Sequence, residues 1–129
     1  MPSIDTNILL RLILKDVPIQ VAKAEKLVKE HQNLTINDLA ITETVFVLEK
    51  VIGLDRDDIC ELISSLLDNQ NIQINQEIIF KTTTYYQMYP ALSFNDCYLA
   101  AAANQSQKMP LYTFDKALAK NLPKIVTEL

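Results

Sequence analysis

Four acidic residues are the part of this sequence best suited to chemistry, because apolar residues lie within two positions of each of them. They are Asp5, Glu43, Asp96 and Asp115. If these carboxylates converge, they cannot all stay ionised unless a cation neutralises them. Mg²⁺ or Mn²⁺ suits such a pocket, since hard divalent ions prefer oxygen ligands. An ion of this kind can activate water and stabilise charge on a phosphodiester, so the residue types predict hydrolysis of phosphodiester bonds.

Three of the acids also have a purely structural interpretation as helix caps. Asp5 and Asp115 each precede a predicted helix, where an aspartate accepts a hydrogen bond from the first turn. Ser93 and Asp96 have the spacing of a capping box, in which the two side chains satisfy each other's backbone N–H groups. Taken one at a time, Asp96 and Asp115 are better explained as caps than as catalysts.

Glu43 is less easily explained in this way. Helical geometry places it between Phe46 and Val47 and below Leu39, so we expect an apolar environment. An unpaired carboxylate there is unfavourable by several kcal/mol, which predicts protonation, an ion pair or a bound metal. A salt bridge to Lys50 is the structural alternative.

Asp96 shares a helical stripe with Leu99 and Ala103, which predicts that it points toward the sheet. Its helix follows another helix directly, with only a corner at Pro90 between them. Alternation of strands and helices therefore leaves open whether Asp96 reaches the other acids.

Single residue counts exclude several other mechanisms. The one glycine, Gly53, excludes a glycine-rich phosphate loop. The one histidine, His31, and two distant cysteines leave no zinc ligand set, and we expect Cys60 and Cys97 to be reduced thiols. A net charge of −4 argues against a general nucleic-acid coating protein but allows a basic rim around an acidic site.

The length of 129 residues predicts a single domain over residues 1–129. No apolar run approaches the roughly 18 residues of a membrane span, and no secretion signal is visible at the N-terminus. We therefore expect a soluble, cytoplasmic protein with no membrane partner.

Short apolar segments alternate with amphipathic ones along the chain. The pattern predicts strands at 3–5, 34–36, 71–74 and 111–113, and helices from 8, at 18–30, 38–52, 55–67, 76–89, 94–107 and 116–122. This alternation is typical of an α/β domain with helices on both faces of a parallel sheet. Ligands bind at the carboxyl edge of such a sheet, where the acids are expected.

Four segments together resemble the motifs of the PIN domain family, and especially the VapC-type toxins of bacterial toxin-antitoxin pairs. The first is residues 3–11, with the run Asp5-Thr6-Asn7, and the second is 41–48, continued by 53–56. The third is 93–101, around Asp96, and the fourth is 111–115, ending in Asp115. The four segments occur in the family's order and spacing, and the resemblance covers essentially the whole chain.

The resemblance implies a three-layer α/β/α sandwich around a parallel sheet, and a ribonuclease that depends on Mg²⁺ or Mn²⁺. The catalytic and metal-binding residues are implied to be Asp5, Glu43, Asp96 and Asp115. Asn7 is implied to support the site by hydrogen bonding, and Thr113 to support it or contact substrate. A homodimer and inhibition by a small antitoxin protein are implied as well. Many relatives carry a further acid where this chain has Ser93, which implies weaker binding of any second metal ion.

Substrate contacts are predicted from position alone. Arg11 and Lys50 lie near the acidic motifs and are candidate contacts to RNA phosphates, with a solvated surface as the alternative. Tyr85, Tyr86 and Tyr89 suggest a base-stacking strip, although packing in the core or a dimer is the favoured interpretation.

Two other functions are open at this stage. One is a signalling module that accepts a phosphate on Asp5, although Asn7 replaces the second acid that a D-x-D phosphatase needs. The other is a catalytically silent PIN-like protein that binds a partner.

Overall fold

The computed structural model describes all 129 residues. The chain divides into two compact units, residues 1–75 and 76–129, and each is described by itself. The first contains α1 (Thr6–Leu14), α2 (Pro18–Glu30), β1 (Leu34–Thr35), α3 (Asp38–Phe46), a π-helical turn (Val47–Ile52), α4 (Arg56–Asp68) and β2 (Ile72–Gln73). The second contains α5 (Gln76–Met88), α6 (Phe94–Gln105), β3 (Leu111–Thr113), α7 (Lys116–Asn121) and β4 (Val126–Glu128). The predicted single domain stays a prediction.

Local capping residues set where the helices of the first unit begin and end. Asn37 and Asp55 cap α3 and α4, each accepting a hydrogen bond from a backbone N–H three residues later. Pro18 occupies the first position of α2, where its missing N–H is not needed. Gly53 ends the π-helical turn with a positive φ of 85°, which glycine adopts without a steric penalty.

Three short parallel segments form the sheet of the first unit. Ser3 makes a parallel bridge with Thr35, supported by the hydrogen bond from Ile4 N to Thr35 O at 3.0 Å. On its other side β1 pairs in parallel with β2, with Leu34 opposite Ile72. The segment before Asp5 and the segment before Asn37 therefore run side by side in the same direction, and both end at the same edge.

The second unit is built on a helix pair and a second parallel strand pair. β3 pairs with β4, with Leu111 opposite Val126. Tyr86 of α5 is fully buried and meets Phe94 of α6 edge to face, with ring centroids 5.2 Å apart. This contact anchors the first turn of α6.

The predicted α/β class with parallel strands is confirmed, but the sheet is smaller than expected. The strands form two separate sheets, each a pair of two- or three-residue strands, and helices dominate the chain. β4 was not predicted, and the predicted helix over 38–52 is π-helical in its second part.

Cys60 and Cys97 are free and buried, and burial is the main cause of a raised pKa of the Cys60 thiol. None of the helices combines the length and the apolar character that crossing a membrane requires.

Candidate active site

Two of the four predicted acids, Asp5 and Glu43, line one cavity in the first unit. The cavity has a volume of about 360 Å³, and we call it the acidic cavity. Its lining also includes Ser3, Thr6 and Asn37. It lies where the parallel segments end and where α1 and α3 begin, at the carboxyl edge at which α/β proteins bind ligands.

Asp5 is exposed and caps α1. Its Oδ1 atom accepts a hydrogen bond from Ile8 N at 3.0 Å, which leaves Oδ2 without a protein partner. Asn37 caps α3 in the same way, through Ala40 N at 2.9 Å. The N-termini of α1 and α3 therefore lie beside the acidic cavity, and their partial positive charge favours negative groups there.

Glu43 lies on the exposed side of α3, and the expectation of a buried carboxylate is wrong. Its predicted neighbours Leu39 and Phe46 are indeed apolar, but they are 65% and 57% exposed. The helix instead packs through a stripe on its opposite side that includes Ile41 and Val45. Exposure removes the desolvation penalty that the sequence argument attached to Glu43.

A hydrogen bond connects Glu43 to the first turn of α1. Thr6 Oγ1 donates to Glu43 Oε2 at 3.0 Å, across 37 residues of sequence. The contact fixes one carboxylate oxygen and leaves Oε1 without a protein partner. Thr6 has no predicted role of its own, although it lies between Asp5 and Asn7 in the first motif.

The two predicted substrate-binding cations have local ion-pair partners. Lys50 Nζ lies 3.5 Å from Glu49, so the salt bridge considered between Lys50 and Glu43 is not formed. Arg11 Nη1 lies 3.0 Å from Asp16. Arg11 also lines a second cavity of about 380 Å³ between α1 and α2, which we call the α1–α2 cavity. Contact with RNA stays a prediction for both cations.

In the second unit, Asp96 lies in the first turn of α6. Its backbone N–H donates to Ser93 Oγ at 3.1 Å, so Ser93 caps the helix as predicted. Its carboxylate makes no hydrogen bond or ion pair, and its side chain is half-buried. Leu99 is 51% exposed, so the stripe that it shares with Asp96 is not the buried side of α6. The buried side includes Phe94 and Cys97 instead.

Asp115 lies two residues after the end of β3 and caps α7. Its Oδ1 atom accepts from Leu118 N at 3.1 Å, and its own N–H donates to Thr113 Oγ1 at 2.9 Å. Thr113 thus orients the turn that carries Asp115. Asn7 is exposed and lines the α1–α2 cavity, beside Asp5. The supporting roles of Asn7 and Thr113 stay predictions.

The tyrosines in and directly after α5 have mainly structural surroundings. Tyr86 belongs to the core, which agrees with the favoured interpretation. Tyr85 and Tyr89 pack against each other with ring centroids 6.4 Å apart. Burial is the first cause of a raised pKa of the Tyr85 hydroxyl.

The oxygen donors of the acidic cavity fit a hard divalent cation. Asp5 and Glu43 each retain one oxygen without a protein partner, and Mg²⁺ is commonly bound by one or two carboxylates and water. No group of three or more His, Cys, Asp or Glu side chains is close enough together to form a metal site. The joining of Asp5 and Glu43 with Asp96 and Asp115 therefore stays a prediction from sequence.

Comparison with known proteins gives one family match. No curated protein matches the chain. The family model of the PIN domain matches residues 3–121, which include all four acids, both supporting residues and both predicted cations. The chain therefore belongs to the PIN domain family.

Proposed function

We propose that this protein is an endoribonuclease that uses Mg²⁺ or Mn²⁺, with Asp5, Glu43, Asp96 and Asp115 as its catalytic and metal-binding residues. PIN domains are generally nucleases and typically use divalent metal ions. The observation that carries the proposal is the acidic cavity, where Asp5 and Glu43 meet at the carboxyl edge of the parallel segments.

The residues of the cavity have distinct roles in this proposal. A bound divalent ion would supply an activated water and stabilise charge on the phosphodiester. Asp5 and Glu43 would hold that ion, and the Thr6 hydroxyl keeps the Glu43 carboxylate in one orientation. The N-termini of α1 and α3 attract the phosphate backbone of the substrate.

We further propose that the protein is the toxin of a VapBC-type pair, in which a small antitoxin protein inhibits a homodimer. The four motifs carry this resemblance. The exposed Leu39 and Phe46 beside Glu43 support a partner that covers this side of α3, since exposed apolar groups near a site are typical of interaction surfaces.

Metal dependence is the first test of the proposed function. The purified protein, freed of any antitoxin, is expected to cleave single-stranded RNA with Mg²⁺ or Mn²⁺ and to lose cleavage when a chelator removes the ion. Gel analysis of end-labelled RNA measures this directly. Restored cleavage after metal is returned separates loss of the ion from damage to the protein.

Two other outcomes would point to the alternative functions. Absence of cleavage across varied RNAs, with metal binding confirmed by calorimetry, would favour a silent interaction protein. A mass increase on Asp5 after treatment with a small phosphodonor would instead support the signalling module.

The hydrogen bond from Thr6 to Glu43 gives a second prediction. Thr6→Val keeps the side-chain shape but removes the donor, so kcat/KM for RNA is expected to fall about tenfold. Thr6→Ser retains the hydroxyl and is expected to stay within about threefold of the wild type. Equal activity of the valine and serine variants would show that this hydrogen bond does not position Glu43 for catalysis.

A further inference from the structure

The α1–α2 cavity lies beside the acidic cavity, and the two share a residue. Asp5 lines both of them. The α1–α2 cavity has a volume of about 380 Å³, within the range of about 300–1,000 Å³ that is usual for small-ligand sites. Since Asp5 belongs to the proposed reaction site, a group held in the α1–α2 cavity would be adjacent to a phosphate that reacts there.

The lining of the α1–α2 cavity combines apolar walls with amide groups. Ile8, Ala24 and Leu27 supply apolar surface, which suits the flat face of a nucleobase. Asn7 and Gln20 supply side-chain amides, each of which can both donate and accept hydrogen bonds. Amides of this kind can read the edge of a base, and a base can enter such a cavity only when it is unstacked.

Two cations complete the lining. Lys23 is exposed and forms no ion pair, so its charge is available to a phosphate. Arg11 is held by Asp16, its side chain is 21% exposed, and its Nε atom is buried without a hydrogen-bond partner. Because an unsatisfied buried donor is unfavourable, the guanidinium gains a hydrogen bond if it turns toward an acceptor in the cavity.

We propose that the α1–α2 cavity binds the unstacked base of the nucleotide next to the cleaved phosphate, and so contributes to the choice of RNA sequence. This inference rests on the proposed ribonuclease function. Gln20 is assigned to the base edge and Lys23 to the adjoining phosphate.

Binding can be measured without cleavage in the full-length Asp96→Asn protein. Fluorescence anisotropy with four single-stranded RNA oligonucleotides, which differ only in the base at one position, gives the affinity and the base preference. Lys23→Ala is expected to weaken binding about tenfold for all four and to reduce the salt slope by about 0.7. Lys26→Ala is the matched control on the same helix, because Lys26 is exposed, pairs with Glu30 and is not among the cavity residues. The RNA affinity of the Lys26→Ala protein is expected to stay within about twofold of the affinity without this substitution.

Gln20→Ala tests the reading of the base. It is expected to reduce the ratio between the best and worst oligonucleotide by about fivefold or more, with little change in the affinity for the worst one. The position of the varied base is set beforehand by mapping the cut made by the wild-type protein, or by scanning the base along the oligonucleotide if no cut is found.

The outcomes separate this inference from the proposed function. Suppose that the protein cleaves RNA, that Lys23→Ala and Lys26→Ala bind RNA with equal affinity, and that Gln20→Ala keeps the base preference. The base-binding inference is then overturned, and a protein partner becomes the better candidate occupant of the cavity. If the protein cleaves nothing but binds RNA with a preference that depends on Gln20 and Lys23, the cavity is a base-binding site, and the cleavage proposal fails together with the placement of the base next to a cleaved phosphate.

Discussion

Asp5→Asn is expected to reduce RNA cleavage by about 100-fold or more while the free energy of unfolding changes by less than about 0.5 kcal/mol. Asparagine caps helices as well as aspartate, so the hydrogen bond from Ile8 N is retained and only the negative charge is lost. Steady-state cleavage at saturating Mg²⁺ and denaturant unfolding of the same preparations measure the two effects.

Asp55 offers a matched control for this substitution. It caps α4 through Asp58 N at 2.9 Å, as Asp5 caps α1, but it does not line the acidic cavity. Asp55→Asn is expected to cleave at the wild-type rate. If Asp5 is only a cap, the two variants will behave alike, and the catalytic role of Asp5 is rejected.

Asp96→Asn extends the comparison to the second unit. The Asp96 carboxylate makes no hydrogen bond that the amide would lose, and the cap of α6 is Ser93. A loss of activity as large as that of Asp5→Asn is expected. Undiminished cleavage would separate Asp96 from the reaction and leave the metal site to the first unit.

The positions of most helices and strands could be predicted from sequence because their signals are local. Pro18, Asn37 and Gly53 act through their own backbone geometry or through a hydrogen bond a few residues away. The same holds for the Ser93 cap, and Asp115 caps its helix as its position before that helix suggested. The four motifs were also recognisable, since a family match depends on residue types in order and not on distances between them.

The burial of Glu43 could not be predicted from its helix alone. Apolar residues occur all around α3, and a helical projection does not say which of them a neighbouring element covers. Packing covers Ile41 and Val45, whereas Leu39 and Phe46 remain exposed. A similar limit applies to β4, whose pairing with β3 depends on segments about 15 residues apart in sequence and not on an apolar pattern of its own.

Tyr86→Ala is expected to lower the free energy of unfolding by about 3–5 kcal/mol. Tyr86 is 0% exposed and meets Phe94 edge to face at 5.2 Å, so its removal loses both buried area and an aromatic contact. A loss of this size is a large part of the roughly 5–15 kcal/mol by which domains are stable. Denaturant unfolding followed by circular dichroism measures it. Tyr112→Ala is the control. Because Tyr112 is exposed, this substitution is expected to change the free energy of unfolding by less than about 0.5 kcal/mol.

The same substitution connects packing to catalysis. Phe94 is the first residue of α6, and Asp96 lies two residues further along the same turn. Without the Tyr86 ring, Phe94 loses a packing contact that stabilises the first turn of α6. The Asp96 carboxylate makes no hydrogen bond that would keep it in position when this turn becomes less stable. Cleavage by Tyr86→Ala is therefore expected to fall even at temperatures where the protein is still folded, whereas Tyr112→Ala keeps its activity. Wild-type cleavage by folded Tyr86→Ala would mean that other contacts of α6 hold Asp96 in place.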